Sequence, residues 1–172
     1  IALKATNGGA VRIHLNKLDS VGVLYWDDVS VTGPVSLNPG YEGGSLAYWN
    51  KANNPELITA SAAQKFAGVY AMRIDPGPST YAWTDIDGLE AGVAYVLEVW
   101  MKGTSTEDRG QVTLHDTLGG NSVQTTDLGR AEMEWLRIRM NYTANSTGKV
   151  RVHLGRTGGS GAIFWDELSL TR

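Results

Sequence analysis

The chain contains no cysteine. That excludes disulfides, thiolate metal sites and a cysteine nucleophile. It is short of proline, with 5, and of charge, with 19% of residues charged against the usual quarter. Basic and acidic residues nearly balance, 15 against 18, for a net charge of −3. A protein that tracks nucleic-acid phosphates would instead show a basic face. No apolar run approaches the ~18 residues that a membrane-spanning helix needs. The opening IALKATNGG lacks the basic stretch and apolar core of a secretory leader. Helical periodicity is missing too; only residues 129–134 leave room for a single turn.

What is present points to strands. A length of 172 residues suits one domain of ordinary size, or one domain plus a fragment. That length buries a hydrophobic core without covalent staples. Twenty-one glycines, six tryptophans and seven tyrosines in a lightly charged chain indicate an all-β domain with many turns. The aromatics then serve either as core or as a flat stacking surface.

The chain contains part of itself twice. Residues 9–33 (GAVRIHLNKLDSVGVLYWDDVSVTG) and 148–172 (GKVRVHLGRTGGSGAIFWDELSLTR) align without a gap at an offset of 139, with 10 identities in 25. Arg12 matches Arg151, His14 matches His153, Trp26 matches Trp165 and Asp27 matches Asp166. Such a repeat indicates a truncated tandem array. On that reading residues 35–172 are one complete unit. Residues 1–34 are the closing hairpin of a preceding copy plus a linker, with Gly33-Pro34 as the junction. A lone hairpin is unstable, so the segment is expected to pack on the complete unit or to pair with another copy, giving a dimer or a swapped assembly. The alternative is a single domain with two similar hairpins.

Strand-like runs bounded by turn residues recur at 71–74, 80–86, 95–102, 111–115, 135–142, 150–154 and 163–170. In 95–102, Tyr95, Leu97, Val99 and Met101 alternate with Glu98, Trp100 and Lys102. In 111–115, Val112 and Leu114 alternate with Gln111, Thr113 and His115. Many antiparallel strands with one apolar face each make a two-sheet antiparallel β-sandwich. The expected connectivity is a jelly roll.

Three motifs, in order, resemble a large group of β-jelly-roll carbohydrate-binding modules. Asn38-Pro39-Gly40-Tyr41-Glu42-Gly43-Gly44 resembles their Asn-x-Gly-Phe-Glu opening, with Tyr41 in place of the usual Phe. Gly88-Leu89-Glu90-Ala91-Gly92-Val93-Ala94-Tyr95, running into Val99-Trp100-Met101-Lys102, is similar to their Leu-x-x-Gly-x-x-Tyr…Trp-x-Lys segment. Phe164-Trp165-Asp166-Glu167-Leu168-Ser169-Leu170 resembles their closing strand. The match spans residues 35–172 and is nearest to families 4, 9, 16 and 22. It implies a secreted or extracellular, non-catalytic module within a larger multidomain protein. Such a module binds soluble plant-type polysaccharide, β-glucan or xylan, in a cleft and targets an attached glycoside hydrolase. The alternative is a structural or cell-surface adhesion domain of the same fold without sugar affinity.

The resemblance also implies a structural calcium ion between the opening segment and the closing strand. Its ligands would be the Glu42 and Asp166 carboxylates and the carbonyls of Gly44 and Lys65. Hard cations take such oxygen ligands. Glu167 is expected to be an exposed neighbour. A sugar-binding face needs rings to stack on pyranoses and polar groups for their hydroxyls. Tyr81, Trp83 and Asp85 share one strand face, as do Glu98 and Trp100, Thr113 and His115, and Arg151 and His153. If these strands lie in one sheet, the faces merge into one cleft. Trp83 and His153 resemble a stacking Trp and a polar cleft residue of family 4 modules. Trp49, Trp135 and Trp165 read as packing. Asp85, Glu98 and Asp116 offer carboxylates for glycoside hydrolysis, but nothing in their spacing requires it. The three histidines form no metal-ligand motif, and no Gly-x-Ser-x-Gly or Walker-type loop is present.

Overall fold

Alternating apolar positions translate into strands that bury one face each. The computed structural model describes residues 41–116, 122–127 and 133–172. The hairpin expected at 1–34, and with it any swapped assembly, lies outside the described residues, as does most of the turn expected at 129–134. Among the described residues the only helical element is a 3-10 turn at Pro55–Leu57. None of their helices is long and apolar enough to cross a membrane.

The strands are β1 (Asn50–Ala52), β2 (Ile58–Ser61), β3 (Ala71–Ile74), β4 (Thr80–Ile86) and β5 (Ala94–Gly103), then β6 (Arg109–His115), β7 (Ser122–Asp127), β8 (Leu136–Thr143), β9 (Val150–Gly158) and β10 (Ile163–Thr171). The first sheet has the order β1-β4-β9-β6-β7 and the second β2-β3-β10-β5-β8. All neighbours are antiparallel. The chain passes from sheet to sheet at β1–β2, at β3–β4–β5–β6 and at β7–β8–β9–β10, which makes the sandwich a jelly roll. The strands expected at 71–74 and 80–86 match at both ends, and the others extend or shift by a few residues. The short or polar β1, β2 and β7 carry too little alternation to be read from sequence.

The core lies between the sheets. Leu97, Val99, Met101 and Trp165 of the second sheet face Val112, Leu114, Val152 and Leu154 of the first, all fully buried. Each such side chain contributes roughly 1.5–3 kcal/mol by leaving water. Tyr41 and Trp49 close one edge of this core, with ring centroids 6.0 Å apart. Trp49 and Trp165 are therefore core, as expected. Trp135 is part-buried against a small cluster of Ala71, Ala162 and Phe164.

The closing strand is not a regular alternation. A register shift between Asp166 and Ser169 against β5, with Glu167 at φ 50°, marks a β-bulge. The extra residue lets Trp165 and Leu168 both reach the core while Asp166 stays on the other face.

Candidate functional site

The register of the first sheet gathers most of the expected cleft residues on its outer face. Trp83 lies opposite His153, which lies opposite Thr113 on its other side. Asp85 lies opposite Arg151, and Arg151 opposite His115. Tyr81 lies opposite Gly155, and Gly155 opposite Gln111. Because side chains two apart in a strand share a face, these three cross-strand rows form one surface over β4, β9 and β6.

The groups on this surface are planar and stacked. The Tyr81 and His153 rings are 4.9 Å apart and nearly parallel, at 11°. His115 lies 4.2 Å from His153, and Trp83 lies 6.4 Å from it. The Arg151 guanidinium sits 3.7 Å from the centre of the Trp83 ring. Arg151 also grips Asp85 with two hydrogen bonds, Nε to Oδ1 at 2.6 Å and Nη2 to Oδ2 at 2.9 Å. Arg151 thus covers one face of the indole that was expected to stack on sugar.

Charge on this surface is largely internal. The hydrogen bond from Arg151 holds the Asp85 carboxyl below its usual range, and Asp85 raises Arg151 in turn. Burial, then the nearby His115 and Arg151, push His153 down to about 4. His153 is therefore neutral at neutral pH. Its Nε2 is buried without a protein partner. Beside this row lies a hollow of about 370 Å³ bounded by Tyr81, Gln111, Thr113, His153, Gly155 and Thr157, at the lower end of the ~300–1,000 Å³ of small-ligand sites. Arg156, fully buried beneath it, donates to the carbonyls of Gly77, Gly159 and Gly161 and so ties the loops at its rim.

Two expected cleft residues are elsewhere. Glu98 and Trp100 lie on β5, in the second sheet. Their strand has the expected parity, but its outer face looks away from that of β4, β9 and β6. A single cleft cannot include them. Glu98 pairs there with Arg137 at 2.6 Å and Arg139 at 2.8 Å, which lower its pKa. Trp100 stacks on Phe66 at 3.8 Å and 14°. Alternation along one strand reports its two faces but not the sheet to which it belongs, and that is where the merged face fails.

Of the expected metal ligands, the two carboxylates, Glu42 and Asp166, bind the same loop. Asp166 is fully buried. Its Oδ2 accepts the Phe66 and Ala67 N–H groups at 2.8 and 3.2 Å, and its Oδ1 accepts the Glu167 N–H at 2.9 Å. Glu42 Oε2 accepts the Val69 N–H at 2.7 Å. Both carboxylates are thus anchored to the loop that follows Lys65. Gly68, at φ +63°, lies so close that a Cβ there would meet the Glu42 carboxylate at 2.0 Å. Burial, with Glu167 nearby, pushes Asp166 up to about 6. Burial and Glu42 raise Glu167. Glu167 is half-buried and faces this group, a correction to the exposed neighbour expected. No group of three or more His, Asp or Glu side chains converges as a ready-made metal site among the described residues. What the structure shows is two carboxylates held by backbone N–H groups, with no Lys or Arg pairing with them among the described residues.

Residues 33–160 match the family model described as a carbohydrate binding domain, CBM_4_9. The chain belongs to this family. No curated protein matches the sequence. Several solved carbohydrate-binding modules share the fold of this carbohydrate-binding domain. A family 61 module in complex with β-1,4-galactotriose has a TM-score of 0.70 at 21% identity, over 82% of this chain and 99% of that one. A family 16 module has a TM-score of 0.63 at 15% identity, over 79% and 98%. The CBM22-1 xylan-binding domain of Paenibacillus barcinonensis Xyn10C has a TM-score of 0.59 at 15% identity, over 77% and 90%.

Sequence reasoning missed the hollow in this carbohydrate-binding domain. Gly155 and Thr157 fall beyond the expected end of β9 at residue 154, so neither had been placed on a strand face. The available signal was the single glycine that continues the alternation of Arg151 and His153.

Proposed function

We propose that this carbohydrate-binding domain is a non-catalytic module that binds soluble plant-type polysaccharide chains on the outer face of its first sheet. It acts outside the cell and targets an attached glycoside hydrolase to β-glucan or xylan. The observation that carries the reading is the register of β4, β9 and β6. It brings Tyr81, Trp83, Asp85, His115, Arg151 and His153 together beside one hollow. Rings, amides, hydroxyls and one guanidinium supply what sugar faces and hydroxyls require. A sugar at Trp83 lies on the guanidinium or displaces it.

Catalysis by paired carboxylates is disfavoured by the same geometry. Asp85 and Glu98 point outward from opposite sheets. Packed sheets are about 10 Å apart before their outward side chains are counted, whereas glycosidase pairs span about 5–9.5 Å. Asp85 is moreover committed to Arg151.

A structural calcium ion belongs to this reading, held by Glu42 and Asp166 with the carbonyls of Gly44 and Lys65. It would tie the opening segment to the closing strand. Support comes from the buried, unneutralised Asp166 and its neighbour Glu167. A ligand that binds only the folded state stabilises it by mass action. Chelation should therefore lower the melting temperature, and calcium should restore it. An unchanged melt with no metal in elemental analysis refutes the ion. Affinity electrophoresis against xylan, soluble β-glucans and β-1,4-galactan tests the binding. Migration unchanged by every polysaccharide would favour the adhesion or spacer domain instead.

A further inference from the structure

Gly155 is out of place by the usual rules. A glycine inside a strand loses backbone entropy and packs nothing, and often marks a point of close approach by a ligand. Its φ lies outside the left-handed range, so the backbone does not require glycine there. A Cβ at 155 would sit 3.3 Å from the Tyr81 Cβ and 3.5 Å from the Thr80 carbonyl oxygen, a tight fit that a shift of tenths of an ångström relieves. Gly110 is the contrast. A Cβ there would strike the Met101 sulfur at 2.2 Å, so its absence lets the sheets pack.

What Gly155 does is leave space. Its two register partners are Tyr81 and Gln111, and all three line the hollow. The internal repeat adds an independent observation. Arg151 and His153 recur as Arg12 and His14, but Gly155, Arg156 and Thr157 are replaced by Asn16, Lys17 and Leu18. The face thus divides into a retained half and a changed half.

We infer that Gly155 sets which glycan this module accepts, by keeping open a subsite for one neutral sugar unit between Tyr81 and Gln111. The inference rests on the carbohydrate-binding reading above. The walls carry an amide, hydroxyls, a phenol and the imidazoles of His115 and His153. The one guanidinium that lines it, Arg156, is committed to three backbone carbonyls. An uncharged hexose or pentose suits such a lining, which offers partners for hydroxyls and no uncommitted guanidinium or ammonium group. Arg151 and His153, which the sequence repeat retains, supply the common grip.

Isothermal titration with xylan, mixed-linkage β-glucan and β-1,4-galactan tests this on the wild type and on Gly155→Asn, Gly155→Ala and Arg151→Ala, with thermal melts of each. Gly155→Asn should lose about tenfold or more in affinity for the best of the three and change their order. Gly155→Ala should lose less. Arg151→Ala should weaken all without reordering them. Wild-type affinities and order in Gly155→Asn would overturn the inference while leaving the binding reading intact. So would a Gly155→Ala protein that melts lower but binds unchanged, since Gly155 would then serve the packing of Tyr81. If Gly155→Asn does not fold, Gln111→Ala on the opposite wall decides, and an unchanged order overturns the inference. A wild type that binds none of the three removes this inference and the binding reading together.

Discussion

The two outer faces of the sandwich are built from the same kinds of residue and do opposite things with them. On the second sheet Glu98 is closed off by Arg137 and Arg139, and Trp100 by Phe66. Asp166 caps three backbone N–H groups. Each of these groups has its partner there. On the first sheet Arg151 and Asp85 satisfy each other, but His153 Nε2 has no protein partner and Gly155 leaves a hollow beside it. Residue type alone therefore does not make a binding face. Unused hydrogen-bonding capacity beside open space does.

Substitutions should separate the faces, and the largest effect is expected at Asp166. Asp166→Ala leaves three N–H groups of the fold without their acceptor. A buried orphan costs about 1–3 kcal/mol, but Phe66 is exposed and the three bonds are only part-buried, so a total loss of roughly 2–3 kcal/mol is expected, or about 5–10 °C in melting temperature. The folded fraction should still bind glycan with wild-type affinity. A melting temperature within about 2 °C of wild type would show that Asp166 holds nothing.

Trp83 and Trp100 form the next contrast. Aromatic stacking on a flat ligand is worth ~1–3 kcal/mol, and ~1.4 kcal/mol is a factor of ten. Trp83→Ala should weaken glycan binding about tenfold or more with little change in the melt. Trp100→Ala should do the reverse, since its partner is Phe66. Equal affinity in the two variants would erase the distinction between the faces. A Trp83→Ala protein that does not fold would assign Trp83 to the core.

A smaller effect is expected with pH. His153 is held at about 4 in the folded chain against 6.5 for an ordinary histidine. The unfolded chain therefore binds a proton from about pH 6.5 downward, while the folded chain resists until about pH 4. The His153 contribution to stability should fall as pH drops through this window and stay level above it, while Asp166, raised from 3.8 to about 6, contributes in the opposite sense between those values. For a half-buried ring partly screened by water, the share of His153 is roughly 1–2 kcal/mol. His153→Gln should remove this fall and leave the Asp166 contribution, so that the profile between pH 4 and 6 tilts toward higher stability at lower pH. An identical profile in that variant would place the dependence on other groups.

The smallest effect belongs to Glu98. Exposed ion pairs contribute about 0–1 kcal/mol, so Glu98→Ala should move the melt by no more than a few degrees and affinity not at all. A loss of glycan affinity there would return Glu98 to the binding surface and break the comparison.

The strands that carry long alternation were legible in the sequence, and so were the inward residues they bury, such as Leu97, Val99, Val112 and Val152. The sandwich followed from them. β1 and β7 were not legible, because a three-residue Asn-Lys-Ala strand and a run dominated by Ser, Gln, Thr and Asp carry no clear period. The co-facing of Tyr81, Trp83, Asp85, Arg151 and His153 could be read from parity. The exclusion of Glu98 and Trp100 could not, since it depends on which strands pair across nearly the whole chain. The bulge at Glu167 was hidden for a related reason, since Phe164-Trp165-Asp166-Glu167-Leu168 reads as an unbroken run.

Position in both sheets gives β9 and β10 a role in the order of events on the ribosome. β9 lies between β4 and β6, and β10 between β3 and β5. Until residues 150–171 have been synthesised, the first sheet is only β1-β4 and β6-β7, and the second only β2-β3 and β5-β8. Two-stranded pieces of this kind are marginal in water, and their open edges invite other chains. The nascent domain thus waits, exposed, for these two strands to emerge, and closes both layers in one late step.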